Sequence, residues 1–462
     1  MSVSWSDFLI MSGMISDKSV LRVKNNTIQC DPDLDRFFIE KRFKILGINF
    51  ESNHGAITIL DPMLDLDEVD KLLQQTYEGG VESGEENITS NIELVEPPMR
   101  GIVVQINRLG LKTSGSCAGH IRQNRRTLPW LSFYNRKDSQ IALELFKSFS
   151  IPVHYYYSDG IQLSAERDEL YQLSLKLSEI RDINHVTNSI FETRKQTLIE
   201  LLRIPGKTGN EGAVREYVLD ELEKINSLSN YLDFGVDNKG NILGSTISLR
   251  TRRRIPGRSS EDSGKKMLLA AHLDVKGDFS SSDQLIERNN IVSREKGILG
   301  ADDRAGVSII LNLLKEVGDY REVPPLKFIF TVGEEEGQYG AESIDPDFFE
   351  DVSFGISLDR RNCKDIVYKS SSKEYSNPEF AEKVARVSSR IFSEENEFVP
   401  CEGRISDLRV WSDKDARPCV NLSVGYFDEH TDKERLDLIC WDRTHQLVAE
   451  LIGKFSFGQG LR

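Results

Sequence analysis

No stretch of this 462-residue chain approaches the ~20 uninterrupted apolar residues that a membrane-spanning helix requires, so no membrane-embedded protein of that kind is expected. Basic charge is in deficit. With 59 Lys and Arg against 74 Asp and Glu, the formal net charge is -15, and such a polyanion is repelled by nucleic acid and by anionic lipid surfaces. Neither nucleic acid nor a membrane is expected as a partner. Met1 to Val20 lack the charged head, long apolar run and small-residue cleavage site of a secretory leader, which makes the cytoplasm the expected compartment. Cysteine is sparse. Cys30, Cys117, Cys363, Cys401, Cys419 and Cys440 are scattered with no short paired spacing, which suits reduced thiols better than a disulfide framework or a thiolate zinc knot. No internal repeat is visible.

What is present is enough apolar material, 39% of residues, for two or three cores, and two domains are expected. The seam is placed near residue 190, giving a first domain over 1–190 and a second over 191–462. Ser164 to Ile183 reads as an amphipathic helix and Phe191 to Leu202 begins another, with no strand between them. In the first domain Val81 to Asn87 is a polar loop, and Gly101 to Ile106 and Pro129 to Tyr134 are strand-like. The second domain alternates. Val214, Tyr217, Val218, Leu222 and Ile225 form one helical stripe, Asp237 to Asn241 is a turn signal, and Ile242 to Leu249 and Met267 to Leu273 read as strands. A helix over Ala305 to Val317 and strands over Leu326 to Val332 and Phe354 to Leu358 follow. Such alternation predicts an α/β sheet with helices on both faces, and an α/β accessory domain is expected before it.

Polar chemistry gathers at the ends of those strands. His272-Leu273-Asp274 closes one strand, Glu334-Glu335-Glu336 follows another between Gly333 and Gly337, and Asp359 ends a third. Asp302-Asp303 follows Gly300 and leads into a helix, and His430 lies in a short polar loop after Val420 to Val424. Ligands bind at strand C-termini in such sheets. Imidazoles and carboxylates converging there are the donors that zinc takes in open catalytic sites.

Each motif taken singly has an ordinary explanation. An H-x-D triplet is common by chance, paired aspartates often cap a helix, and three glutamates are usually a solvated loop. Together they describe one cavity. Asp274, two positions beyond His272 on an extended strand, can accept a hydrogen bond from the ring nitrogen that does not ligate. Asp302 has two oxygens with which to bridge two ions, and the glutamate triplet offers a ligand and a neighbouring base. His185 and His445 carry no such context.

These motifs in this order, with Gly340-Ala341 and Thr431, resemble the co-catalytic di-zinc exopeptidases, the superfamily of bacterial leucyl aminopeptidase, tripeptidase T and glutamate carboxypeptidase. The resemblance spans about residues 190 to 462. It implies a three-layer α/β/α mixed sheet and two Zn2+ ions, replaceable by Co2+ or Mn2+, with Asp302 bridging them. His272 and Asp359 would complete one ion, and Glu335 and His430 the other. Glu334 would be the general base and Asp274 the residue that orients His272; the Asp302–Asp303 peptide would be cis. The short gaps between ligands leave no room for an inserted lid domain and suit the compact aminopeptidase branch. Gly403-x-x-Ser406-Asp407 lies where that branch has a substrate-side loop, but the histidine that often follows is Leu408 here. A peptide or an acylated amino acid is the implied substrate.

The first domain shares none of this. Its Thr113 to His120 run, with Cys117 and His120 in a Gly/Ser loop, can be read as a nucleophile and base, a ligand pair, an anion-binding nest or a plain turn. Around that loop the chain faintly resembles the wybutosine-synthesis TYW-three-like domains, which act on transfer RNA. Arg122, Arg125 and Arg126 nearby, and the Arg250 to Arg258 cluster in the second domain, are read as solvated loops. A non-catalytic or regulatory ligand-binding protein on a hydrolase fold is the rival reading, and an amide deacylase or carboxypeptidase is a third. Oligomeric state is left open.

Overall fold

A computed structural model describes residues 2–16, 22–24, 26–29, 36–53, 55–77, 92–122, 125–157, 159–247, 265–280, 283–370, 373–403, 406–407, 410–412 and 417–456. The polar run over 81–87 and the arginine cluster over 250–258 lie outside them, as do the side chains of His120, Arg122, Arg125 and Arg126. The chain divides into two compact units, Met1–Asn188 and Ser189–Arg462.

The first unit is α/β with antiparallel pairing. One sheet orders Val153–Tyr157, Gly160–Leu163, Trp130–Phe133 and Thr113–Cys117, and another orders Arg22–Lys24, Thr27–Gln29, Ala56–Ile59 and Phe50–Asn53. Two expectations change here. Gly101 to Ile106 lies inside the helix Pro97–Arg108, not in a strand. A short, wholly buried apolar run does not distinguish the two periods, whereas Pro97 and Pro98 at the first helical positions are the start signal that decides it. Thr113 to Cys117 is a paired strand rather than part of a loop.

The second unit is built on a mixed sheet whose centre is parallel. Leu326–Thr331, Lys266–His272, Val352–Arg360 and Cys419–Ser423 lie side by side in that order. Ile242–Thr246 and Leu232–Val236 extend one side antiparallel; Asp365–Ser370 extends the other. Central strands buried on both faces read as continuous apolar runs, which is why these were visible in the sequence. The turn before Ile242 closes as its residues predict, with Asp237 Oδ1 accepting from the backbone N–H groups of Lys239, Gly240 and Asn241.

Alternation along Lys266–His272 separates two cores. Met267, Leu269 and Ala271 share a cluster with the helices Asn184–Leu202, Gly212–Ser229, Ala301–Val317, Pro378–Ile391 and Leu438–Ser456. Leu268 and Ala270 face the other way, toward Ala341, Ile344, Phe349 and Trp411. Both faces are covered, giving three layers, but among the described residues the second cover is short segments rather than long helices.

The expectation that the cysteines are reduced is corrected at one pair. Cys363 and Cys440 are disulfide-bonded, 77 residues apart in sequence with Cα atoms 5.0 Å apart. Sequence spacing could not reveal them, because the approach is made by reciprocal backbone bonds that lay Asn362 against Gly425 and Tyr426. Cys117, Cys401 and Cys419 are not disulfide-bonded.

Candidate metal centre

Strand order reverses around Lys266–His272: the chain passes from it through Ala301–Val317 to Leu326–Thr331 on one side, then to Val352–Arg360 on the other. A crevice forms at the C-terminal end of such a switch point. His272 stands there, buried, on the last residue of its strand. Asp359 reaches the same place from the end of Val352–Arg360, and Glu334 and Glu335 come from the turn after Leu326–Thr331. His430 arrives in the loop beyond Cys419–Ser423. Asp302 is delivered by the first residues of Ala301–Val317, where Asp302 and Asp303 depart from helical geometry and the peptide between them is cis.

Asp302 is the hub. Its Oδ1 lies 3.0 Å from His272 Nε2 and its Oδ2 lies 3.3 Å from His430 Nε2. His272 Nε2 is also 3.6 Å from Asp359 Oδ1, and His430 Nε2 is 2.7 Å from Glu335 Oε1. Two clusters that could each hold a metal ion result, His272/Asp302/Asp359 and Asp302/Glu335/His430, and they share Asp302. His430 is the accessible member, with 41% of its side chain exposed against 2% for His272, so the crevice opens on the His430 side.

Electrostatics show what the donors lack. Burial pushes the Glu334 carboxyl up to about 9, with Asp359 beside it adding to the rise, and burial raises Asp359 to about 6. Hydrogen bonds to Asp302 and Glu335 hold His430 up at about 10. Burial alone would lower His272, but Asp274, Asp302 and Asp359 around it raise it well above the usual imidazole range. So many buried carboxyls call for compensating positive charge. Glu335 Oε1 is buried without a hydrogen bond of good geometry. Two imidazoles, a carboxylate positioned to bridge and an unsatisfied buried oxygen suit a pair of divalent cations.

Asp274 does more than its spacing foretold. His272 Nδ1 lies 2.9 Å from the Asp274 carbonyl oxygen and 3.4 Å from its carboxylate. That carboxylate also accepts from Glu334 N at 3.0 Å, Glu335 N at 3.1 Å and Thr208 Oγ1 at 2.9 Å. Burial opposes its ionisation, yet His272 lowers Asp274 to about 2. One side chain therefore fixes a histidine and the glutamate turn together. Gln338 Nε2 donates to Glu334 Oε1 at 3.3 Å from the far end of that turn.

Several residues that sequence reading passed over brace the same centre. Asp303 accepts from His272 N and Gly306 N, each at 3.1 Å. Gly306 is glycine for want of room, since a Cβ would lie 2.1 Å from the Leu358 carbonyl oxygen. Asn421 exchanges hydrogen bonds with the backbone of Asp359, and Tyr426 Oη donates to Asp359 Oδ1 at 3.2 Å. Glu434 accepts from Gly300 N, Ala301 N and Asp302 N. Asp407 is buried and accepts from Thr331 Oγ1 at 2.5 Å; Leu408 lies outside the described residues. Of these, Asp303, Gly306 and Asp407 lie within motifs the sequence displays, whereas Asn421 and Glu434 do not.

The remaining candidates stand apart. His445 is buried and pairs with Glu316 at 3.3 Å, and His185 is exposed. Burial, with Glu96 nearby, pushes the Cys117 thiol up, the reverse of what a nucleophile needs. Cys363 and Cys440 lie beside Asp437, but their sulfurs are bonded to each other.

Residues 253–454 match the model of peptidase family M28. The second unit carries an M28 peptidase domain. Metallopeptidase chemistry is what a match to this family supports, and its members are typically metal-dependent. Among curated proteins, YqjE of Bacillus subtilis (strain 168), described as uncharacterized, is 25% identical over 173 residues, 36% of this chain and 42% of YqjE. Among solved structures, aminopeptidase PepT of Bacillus cereus is similar at 14% identity and a TM-score of 0.49, over 57% of this chain and 98% of that one. A tripeptidase of Staphylococcus aureus is similar at 16% identity and a TM-score of 0.46, over 58% and 99%. Likeness at that level does not reach to activity. Among the described residues no helix of the M28 domain, or of the first unit, is long and apolar enough to cross a membrane.

Proposed function

We propose that the chain is an aminopeptidase using two zinc ions, one held by His272, Asp302 and Asp359 and the other by Asp302, Glu335 and His430. The observation that carries this reading is that the two clusters share the carboxylate of Asp302. When bound, such a pair supplies a Lewis acid and an acidified water. The rest falls to the chain. Glu334, 3.9 Å from His272 Nε2 and braced by Gln338, takes the proton from the attacking water and returns it to the leaving amine. Asp274 keeps the His272 Nε2 lone pair aimed at the crevice by engaging Nδ1, and it holds the turn that carries Glu334 and Glu335. Asp302 is held with its two oxygens turned to different histidines.

Metal analysis of the purified protein, with turnover of free-amine and N-blocked dipeptides with and without chelator, tests the reading. Two equivalents of zinc and hydrolysis of free-amine peptides alone are expected. Hydrolysis of acylated substrates alone would make the protein a deacylase, and protein that takes no metal would end the hydrolytic account. The first unit is proposed as an accessory domain, and the cytoplasm as the compartment. The Cys363–Cys440 bond argues against that compartment, whose thiol pools keep cysteines reduced. Alkylation in rapidly quenched cells that found the pair oxidised throughout would move the protein elsewhere.

A further inference from the structure

The helix Ala301–Val317 begins in the interior, where its first N–H groups have no intrahelical acceptors. Its N-cap is Gly300, at φ +76°, which has no side chain to cap them. The acceptor comes from elsewhere. Glu434 is buried, with Oε2 2.8 Å from Gly300 N and Oε1 2.8 Å from Ala301 N and 3.2 Å from Asp302 N. With both oxygens taken up by N–H groups, the carboxylate holds this turn, which precedes the non-helical Asp302 and Asp303, in one orientation.

Glu434 belongs to the loop that carries His430. Three residues separate them, Glu434 N donates to Thr431 O at 3.2 Å, and Thr431 Oγ1 donates to Asp428 O at 2.7 Å. His430 itself sits in the left-handed region at φ +64°, which a non-glycine residue occupies only when its surroundings hold it there. We infer that Glu434 is a positioning residue that couples the two metal positions: from the His430 loop it caps the turn that presents Asp302, and so fixes His430 against the shared carboxylate. Any change in its reach moves His430 relative to Asp302, and with it the second cluster relative to the first. Asp303 does the corresponding work on the other side, tying the same turn to the backbone of His272.

The inference rests on the proposed metal reading, so the test begins with zinc titration of the wild-type full chain against a chromophoric chelator. Wild-type protein that does not take two ions refutes that reading, and the coupling with it. Given two ions, Glu434→Gln is expected to weaken one of them by roughly 10–100-fold, as substitutions of groups that orient ligands do. The absorption of the Co2+-loaded protein should change, and kcat should fall while KM for a dipeptide holds. Glu434→Asp, which keeps the charge and shortens the arm, should fall between. A Glu434→Gln protein of lowered Tm that binds both ions with wild-type affinity and spectrum would make Glu434 a helix cap and nothing more. Should that variant fail to fold, Glu434→Asp with unaltered zinc affinity and Co2+ spectrum overturns the coupling equally.

Discussion

Glu334 and Glu335 are neighbours in sequence with different surroundings. Glu335 Oε1 lies 2.7 Å from His430, whereas Glu334 is placed toward His272 and raised to about 9 by burial and by Asp359. Cations in the cavity would oppose that rise and leave the carboxylate free to take a proton from water. Glu334→Gln should keep its metal content and lose roughly 10²–10⁴-fold in kcat, the usual contribution of a general base. Metal analysis and turnover on the same sample check it, and unchanged turnover would remove the assignment. His445 makes a separate prediction. Burial and Arg194 lower its pKa, so its protonation favours the unfolded chain. The stability it confers is present above the ordinary histidine value of ~6.5 and is lost as pH falls through the lowered one, with a slope of at most about 1.4 kcal/mol per pH unit for one proton. In chelated protein, His445→Asn should flatten the acid-side loss in urea melts; identical slopes would show that His445 binds its proton equally in the folded and unfolded chain. At this scale the residues expected at the centre were legible because each ends or closely follows an apolar strand or opens a helix. Glu434 was not, since Asp432-Lys433-Glu434 reads as a solvated run and its partners lie 132 to 134 residues away.

Among elements, the crevice depends on two loops that enter it from the same side, one after Val352–Arg360 and one before Leu438–Ser456. The Cys363–Cys440 bond ties the first of them to the opening turn of Leu438–Ser456, and Asn362 N donates to Tyr426 O of the second at 2.9 Å. Closing a loop of 77 residues is worth about 4 kcal/mol in the chain-entropy account. A Cys363→Ser/Cys440→Ser protein, or wild type under a dithiol reductant, should therefore melt lower than oxidised wild type in the transition that responds to metal. Equal melting temperatures would show that the backbone bonds hold the loops unaided. The strands of the M28 domain were read to within a few residues because their burial on both faces leaves apolar runs such as Met267 to Ala271. Gly101 to Ile106 misled for the same reason, because a buried helix leaves a similar run, broken here only by Gln105, and the prolines before it discriminate. The disulfide was invisible because long-range contacts, not spacing, create it.

At the scale of the molecule, two hydrophobic cores fall in different units. Trp5, Phe8, Phe43 and Tyr171 anchor one in residues 1–188; Phe328, Phe330 and Trp441 belong to the other. Separate cores unfold as separate cooperative blocks. All the candidate metal ligands belong to the second. An ion that binds only the folded state stabilises by about 2.7 kcal/mol at a free concentration 100 times its Kd, and in a unit of this size that shifts Tm by roughly 5–10 °C. Calorimetry of the full chain should then resolve two transitions, and chelator should lower one by that amount while leaving the other in place. Residues 1–188 pack around their own apolar core, and the buried Arg100 there donates to Val95 O and Thr76 Oγ1, none of which a chelator touches. A single transition that moved as a whole would mean that the units melt as one block, and metal at the crevice would then set the stability of all 462 residues.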